Sequence, residues 1–130
     1  MHTITKQDLV DTLVTLAISE EEASSVMGNI SANFQFEVEN LMSRKKEKFP
    51  FSLVATDCTF VFDSDLRENL VRPLWASCGI SMDCAEKCLT VIEDRINTVL
   101  VLHGKVAVEG FGEFAIKMVP VWEVSVDKFS

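Results

Sequence analysis

A chain of 130 residues that is 48% hydrophobic, with only 3 Pro and 5 Gly, has enough apolar surface to bury a core, which excludes a disordered segment and predicts one compact domain over residues 1–130. Its 20 Asp and Glu outnumber 12 Lys and Arg for a net charge of −8, divided evenly between residues 1–62 (five basic, nine acidic) and residues 63–130 (seven basic, eleven acidic). Such a field repels a polyphosphate backbone at long range and favours basic partners. No apolar run approaches the roughly 18 residues that span a bilayer. The start Met1-His2-Thr3-Ile4-Thr5-Lys6 lacks the basic-then-apolar order of a secretory signal, so a cytoplasmic protein is expected.

In chain order, Thr5 is the first N-cap candidate, with Asp8 in the capping-box position. A short helix to about Ala17 follows, its apolar stripe made of Leu9, Leu13, Leu16 and Ala17. Ser19 then caps a longer helix whose first turn carries Glu20, Glu21 and Glu22, where the macrodipole favours carboxylates. Ala23, Val26, Met27, Ile30, Phe34, Val38 and Leu41 mark its buried face. The basic run Arg44-Lys45-Lys46-Glu47-Lys48 reads either as a solvated loop or as a phosphate-contact patch. Residues 51–62 alternate and are rich in β-branched and aromatic types, which predicts a strand pair turning near Ala55-Thr56-Asp57.

The second half repeats this plan. Ser64 or Asp65 caps a helix with the face Leu66, Leu70, Leu74 and Trp75, and Gly79 stops it; Pro73 predicts a kink or a late start. Ser81 caps the next helix, with the face Ala85, Cys88, Leu89, Ile92, Ile96, Val99 and Leu100, ending near His103-Gly104. Ile18-Ser19 and Ala23 align with Ile80-Ser81 and Ala85 at an offset of 62, and Met27, Ile30 and Phe34 then fall on Leu89, Ile92 and Ile96. Leu9-Val10 matches Leu70-Val71 with one residue inserted, so the repeats are residues 1–62, the more degenerate, and residues 63–130.

A helix, an Ile-Ser connector, a longer helix, a Gly104-Lys105 turn and then Val106-Ala107-Val108-Glu109-Gly110-Phe111-Gly112-Glu113-Phe114 together resemble the HU/IHF family of histone-like DNA-bending proteins, over residues 66–114. The glycines suit a sharp strand turn, and Phe111 and Phe114 suit the core between helices and sheet. The resemblance implies an α+β fold, with two tandem helix-helix-β-hairpin units forming a single-chain pseudo-dimer; the alternative is a homodimer formed through the second half. It also implies a bacterial or phage-infected cell. In the family a basic arm tipped by an Asn-Pro motif wedges a proline between base steps. Here Phe114-Ala115-Ile116-Lys117-Met118-Val119 runs directly into Pro120-Val121-Trp122, which resembles a returning strand after a deleted arm, with no Arg-rich strand or terminal basic helix.

No nucleophile-base set or phosphate-binding loop is present, so a noncatalytic protein without cofactor is expected. Cys58, Cys78, Cys84 and Cys88 read as reduced thiols; Cys84 and Cys88 have a metal-ligand spacing, but His2 and His103 do not complete a zinc set with them. Two functions remain. One is an acidic interaction protein presenting Glu20, Glu21, Glu22, Glu37, Glu39, Asp83, Glu86, Glu93 and Asp94 to a basic partner, such as a nucleoid protein or a polymerase, in imitation of DNA. The other is an architectural DNA-binding protein using Arg44, Lys45, Lys46 and Lys48 with Lys105 and Lys117, whose few cations predict weak duplex binding. Neither involves a membrane or a small-molecule substrate.

Overall fold

A computed structural model describes residues 2–44, 50–54, 59–119 and 121–127, without the side chains of residues 52–54, 59, 117–119 and 121–127. The order is β1 (Thr3–Ile4), α1 (Lys6–Val14), α2 (Glu20–Arg44), β2 (Phe51–Val54), β3 (Thr59–Phe62), α3 (Ser64–Cys78), α4 (Met82–His103), β4 (Lys105–Val108), β5 (Gly112–Val119) and β6 (Val121–Asp127). The fold is α+β and mostly helical. One sheet has the order β1-β4-β5-β6, parallel only at β1-β4, and β2 with β3 forms a separate antiparallel pair.

Local chemistry accounts for most helix ends. The Thr5 N–H donates to Asp8 Oδ2 at 2.9 Å while the Asp8 N–H donates to Thr5 Oγ1 at 3.1 Å, closing the expected capping box. Ser19 accepts from the Glu22 N–H at 3.1 Å, and Ser81 from the Cys84 N–H at 3.1 Å. Gly79 and Gly104 end α3 and α4 in the left-handed region, at φ 67° and 76°. Ala17 takes the corresponding place after α1 at φ 64°, a conformation that strains a residue with a Cβ. The helix itself stops at Val14, three residues short of the expected end, because the Thr15, Leu16 and Ala17 N–H groups tighten onto carbonyls three residues back.

The buried face of α2 is the expected one, Ala23, Val26, Met27, Ile30, Phe34, Val38 and Leu41. Three expectations for the second half are corrected. The N-cap of α3 is Asp63, not Ser64 or Asp65, and the helix runs through Pro73 from Ser64, so it has no late start. Trp75 is 62% exposed, and Val71 completes the inward face beside Leu66, Leu70 and Leu74. Trp75 follows Leu74 by 100° of helix rotation, enough to turn it off a narrow stripe. On α4, Val99 is half-buried and Glu93 is buried.

Each short helix packs against both long ones: α1 on α2 and α4, α3 on α4 and α2. Between helices and strands lies a phenylalanine cluster drawn from both halves of the chain. Phe34 of α2 stands 4.7 Å from Phe111 and 6.0 Å from Phe114, ring centroid to centroid, and Phe114 lies 5.4 Å from Phe51 and 5.5 Å from Phe60. All are buried, which bears out the core role expected of Phe111 and Phe114.

The hairpin turn forms as expected. The Phe111 N–H donates to the Val108 carbonyl at 3.0 Å, with Gly110 at φ 86° and Gly112 at φ 130°. A Cβ on Gly110 would stand 2.8 Å from Ser31 Cβ, so glycine is needed for backbone conformation and for close approach to α2. After β5 the chain returns at once, with Val119 opposite Val121 and Phe114 opposite Val126. β1 was not expected: the Ala107 N–H donates to the His2 carbonyl and the Glu109 N–H to the Ile4 carbonyl, both at 2.9 Å. This seats Ile4 in the core and stacks the His2 ring on that of His103, centroids 3.4 Å apart. The 55–57 turn lies outside the described residues.

Candidate functional site

Of the expected cationic patch, Arg44 is exposed in the last turn of α2, where the helix dipole favours a cation. Lys45, Lys46 and Lys48 lie outside the described residues. Lys105 opens β4 and its Nζ pairs with Glu113 Oε1 at 2.9 Å, and Lys117 occupies a β5 position opposite Glu123. Three further cations are held by nearby carboxylates: Arg72 by Glu68, Lys87 by Asp83 at 3.2 Å, and Arg67 by Glu86 at 2.7 Å and by Glu93.

The carboxylates expected to form a partner surface are distributed along two helices rather than focused. Glu20, Glu21 and Glu22 sit on the first turn of α2, about 25 Å of helix rise from Glu37 and Glu39. Glu22 is engaged in capping, its Oε1 accepting from the Ser19 hydroxyl at 3.1 Å. Asp83, Glu86 and Asp94 are exposed on α4, the first two in the ion pairs above. Among the described residues no group of three or more His, Cys, Asp or Glu could hold a metal ion.

Glu93 leaves this set. It is only 6% exposed: Oε2 accepts the Phe62 N–H at 2.6 Å, and Oε1 pairs with Arg67 Nη1. Burial pushes its carboxyl above the ordinary value, against the downward pull of the Phe62 N–H and Arg67. Arg67 fans across α4, donating also to the Glu86 carbonyl at 3.1 Å and to Thr90 Oγ1 at 3.2 Å. Helical spacing contained a signal for this, since Glu93 lies four residues after Leu89 and three before Ile96, inside the apolar stripe.

Two more side-chain bonds cross between the halves, and sequence reasoning missed both. Gln35 Nε2 on α2 donates to the Phe111 carbonyl after β4, and Asn97 Oδ1 on α4 accepts the Phe60 N–H of β3 at 2.7 Å. Residues 35 and 97 are 62 apart, the offset of the repeat. Ser31, which abuts Gly110, and Glu93, which anchors Phe62, are 62 apart as well. Each long helix thus bonds through a side chain to backbone of the opposite half, α2 to the β4-β5 turn and α4 to β3. An amide at 35 or 97 is unremarkable as composition, and only the repeat alignment could have singled it out.

Cys78, Cys84 and Cys88 are free thiols, and Cys78 Sγ lies 3.5 Å from Ser25 Oγ. Burial pushes the Cys88 thiol up to about 12, with the neighbouring Cys84 adding to the shift, so it is a poor nucleophile. Cys58 lies outside the described residues, among which no helix is long and apolar enough to cross a membrane. Comparison with protein-family models, curated proteins and solved structures finds no match to this chain.

Proposed function

We propose that the chain is a noncatalytic, HU/IHF-like single-chain pseudo-dimer, without long β-arms, that binds a basic protein in the cytoplasm of a bacterial or phage-infected cell. Gln35 and Asn97, 62 residues apart, each bond to backbone of the opposite half, the first donating to the Phe111 carbonyl and the second accepting from the Phe60 N–H, and this crossing of the halves supports the pseudo-dimer. The turn at Gly110 and the immediate return of β6 support a family-like hairpin shorn of its arm.

The observation that carries the function is the charge arrangement. Arg67, Arg72, Lys87 and Lys105 are each met by a carboxylate of the same chain, so these four cations do not present an open cationic face against the net −8. A surface of this sign attracts a basic nucleoid protein, or the nucleic-acid channel of a polymerase, in place of DNA. Weak DNA binding is the second reading, favoured by Arg44, exposed where α2 runs into the Lys45, Lys46 and Lys48 segment.

The test is binding to a short duplex across a salt series, with purified basic HU in a parallel arm. Capture of HU, or its displacement from DNA, with no duplex binding by the chain itself, is the expected result. Duplex binding with a steep salt slope, roughly one log unit per phosphate contact, would replace it with the architectural reading.

A further inference from the structure

Three cysteines meet where α3 turns into α4. Cys78 ends α3 and Cys84 lies in the first turn of α4, both half-buried against the core, and Cys88 is buried one turn further along α4. Burial is the largest part of the upward push on the Cys88 thiol, and Cys84 and Cys78 both add to it, as neighbours in one corner do. Helix packing does not call for sulfur there: under the repeat alignment the first half builds the same corner from Leu16 or Ala17, Glu22 and Val26.

The corner separates these thiols by reactivity. α4 holds the Cβ atoms of Cys84 and Cys88 about 5–6 Å apart, more than the roughly 4.5 Å a disulfide spans, so an intact helix keeps that pair open. Cys88 is also fully buried and, held at about 12, supplies no thiolate near neutral pH. Cys78 and Cys84 stand on different helices joined only by Gly79-Ile80-Ser81, and a Cβ on Gly79 would meet nothing within 4 Å, so the turn has room to adjust. Cys78 Sγ has a hydroxyl beside it as well, Ser25 Oγ at 3.5 Å, which stabilises negative charge on the sulfur when it donates.

We propose that Cys78 and Cys84 form a redox site at which hydrogen peroxide converts two thiols into a disulfide, with Cys78 attacking and Cys84 resolving. The Cys78 sulfur attacks one peroxide oxygen: the S–O bond forms, the O–O bond breaks, and the departing hydroxide takes up the Cys78 thiol proton as water. The Cys84 sulfur then attacks the Cys78 sulfur: the S–S bond forms, the S–O bond breaks, and hydroxide leaves with the Cys84 proton as a second water. The two sulfurs together give up two electrons, which reduce the peroxide. The bridge ties α3 to α4 and takes Cys78 from Ser25, a contact between opposite halves of the chain.

Treating the full chain with hydrogen peroxide, blocking the remaining thiols in denaturant and mapping peptides without reduction tests it. The expected product is a chain lighter by two hydrogens, with Cys78 joined to Cys84 and Cys88 blocked as a free thiol. Cys84→Ser should stop at a Cys78 sulfenic acid that a cyclic-diketone probe captures. Ser25→Ala should slow formation of that acid about threefold, the worth of one hydrogen bond, with circular dichroism verifying the fold of each variant. A chain that forms no bridge, a bridge to Cys88, to Cys58 or to a second chain, or Ser25→Ala reacting at the wild-type rate would each overturn the proposal.

Discussion

Replacing Glu93 with Ala should unfold the protein more readily than any other single change to a charged residue described here. The carboxylate is the acceptor for the Phe62 N–H and a partner of Arg67, whose side chain is 20% exposed. An orphaned buried N–H costs about 1–3 kcal/mol, and breaking a buried ion pair by removing one member costs about 3–5 kcal/mol. Arg67 retains Glu86 at 2.7 Å, which places the total near 3 kcal/mol, roughly a 10 °C fall in Tm for a domain of this length. Glu93→Gln keeps an oxygen for the Phe62 N–H and should cost about half as much.

The pH dependence distinguishes the contributions. Because burial raises the folded-state pKa of Glu93 above the unfolded value near 4.5, the proton is held more tightly in the folded state. The resulting stabilisation is present below that value and is lost as pH rises through the folded pKa. The stability difference between wild type and Glu93→Gln, from urea melts between pH 4 and pH 8, should therefore shrink as pH rises. A difference that grows with pH, or a Glu93→Ala variant within about 0.5 kcal/mol of wild type, would refute the reasoning.

Phe114→Ala should cost about 3–5 kcal/mol in a urea melt, since the ring is fully buried among phenylalanines of both halves. Gly110→Ala should cost about 2 kcal/mol from its positive φ and its approach to Ser31; Ser31→Gly should recover part of that and Ser31→Ala none, because the contact is with Cβ. Ala17→Gly should instead stabilise by about 0.5–1 kcal/mol, read as a higher Tm, because Ala17 sits at φ 64°. In alkylation followed by mass spectrometry at pH 8, Cys88 should stay unmodified in the folded protein and become labelled only in denaturant.

What the sequence determined alone was the local architecture. Thr5 with Asp8, Ser19 and Ser81 start helices because a side-chain oxygen meets an N–H three residues on, and Gly79 and Gly104 end them because only glycine enters the left-handed region without strain. Those interactions span a few residues, as does the 3.6-residue repeat that announced the inward face of α2.

Tertiary structure decided what depends on distant neighbours. Asp63 displaced Ser64 and Asp65 as the N-cap when the preceding strand set the entry of α3, and a two-residue β1 exists only because β4 offers it a parallel edge. Glu93 and Trp75 exchanged the places their chemistry suggested. A carboxylate tolerates burial once an N–H and a guanidinium from elsewhere in the chain converge on it, and an indole stays exposed where none of the described elements covers its side of the helix. Which groups converge, and which face stays uncovered, is a property of the assembled chain and not of any window along it.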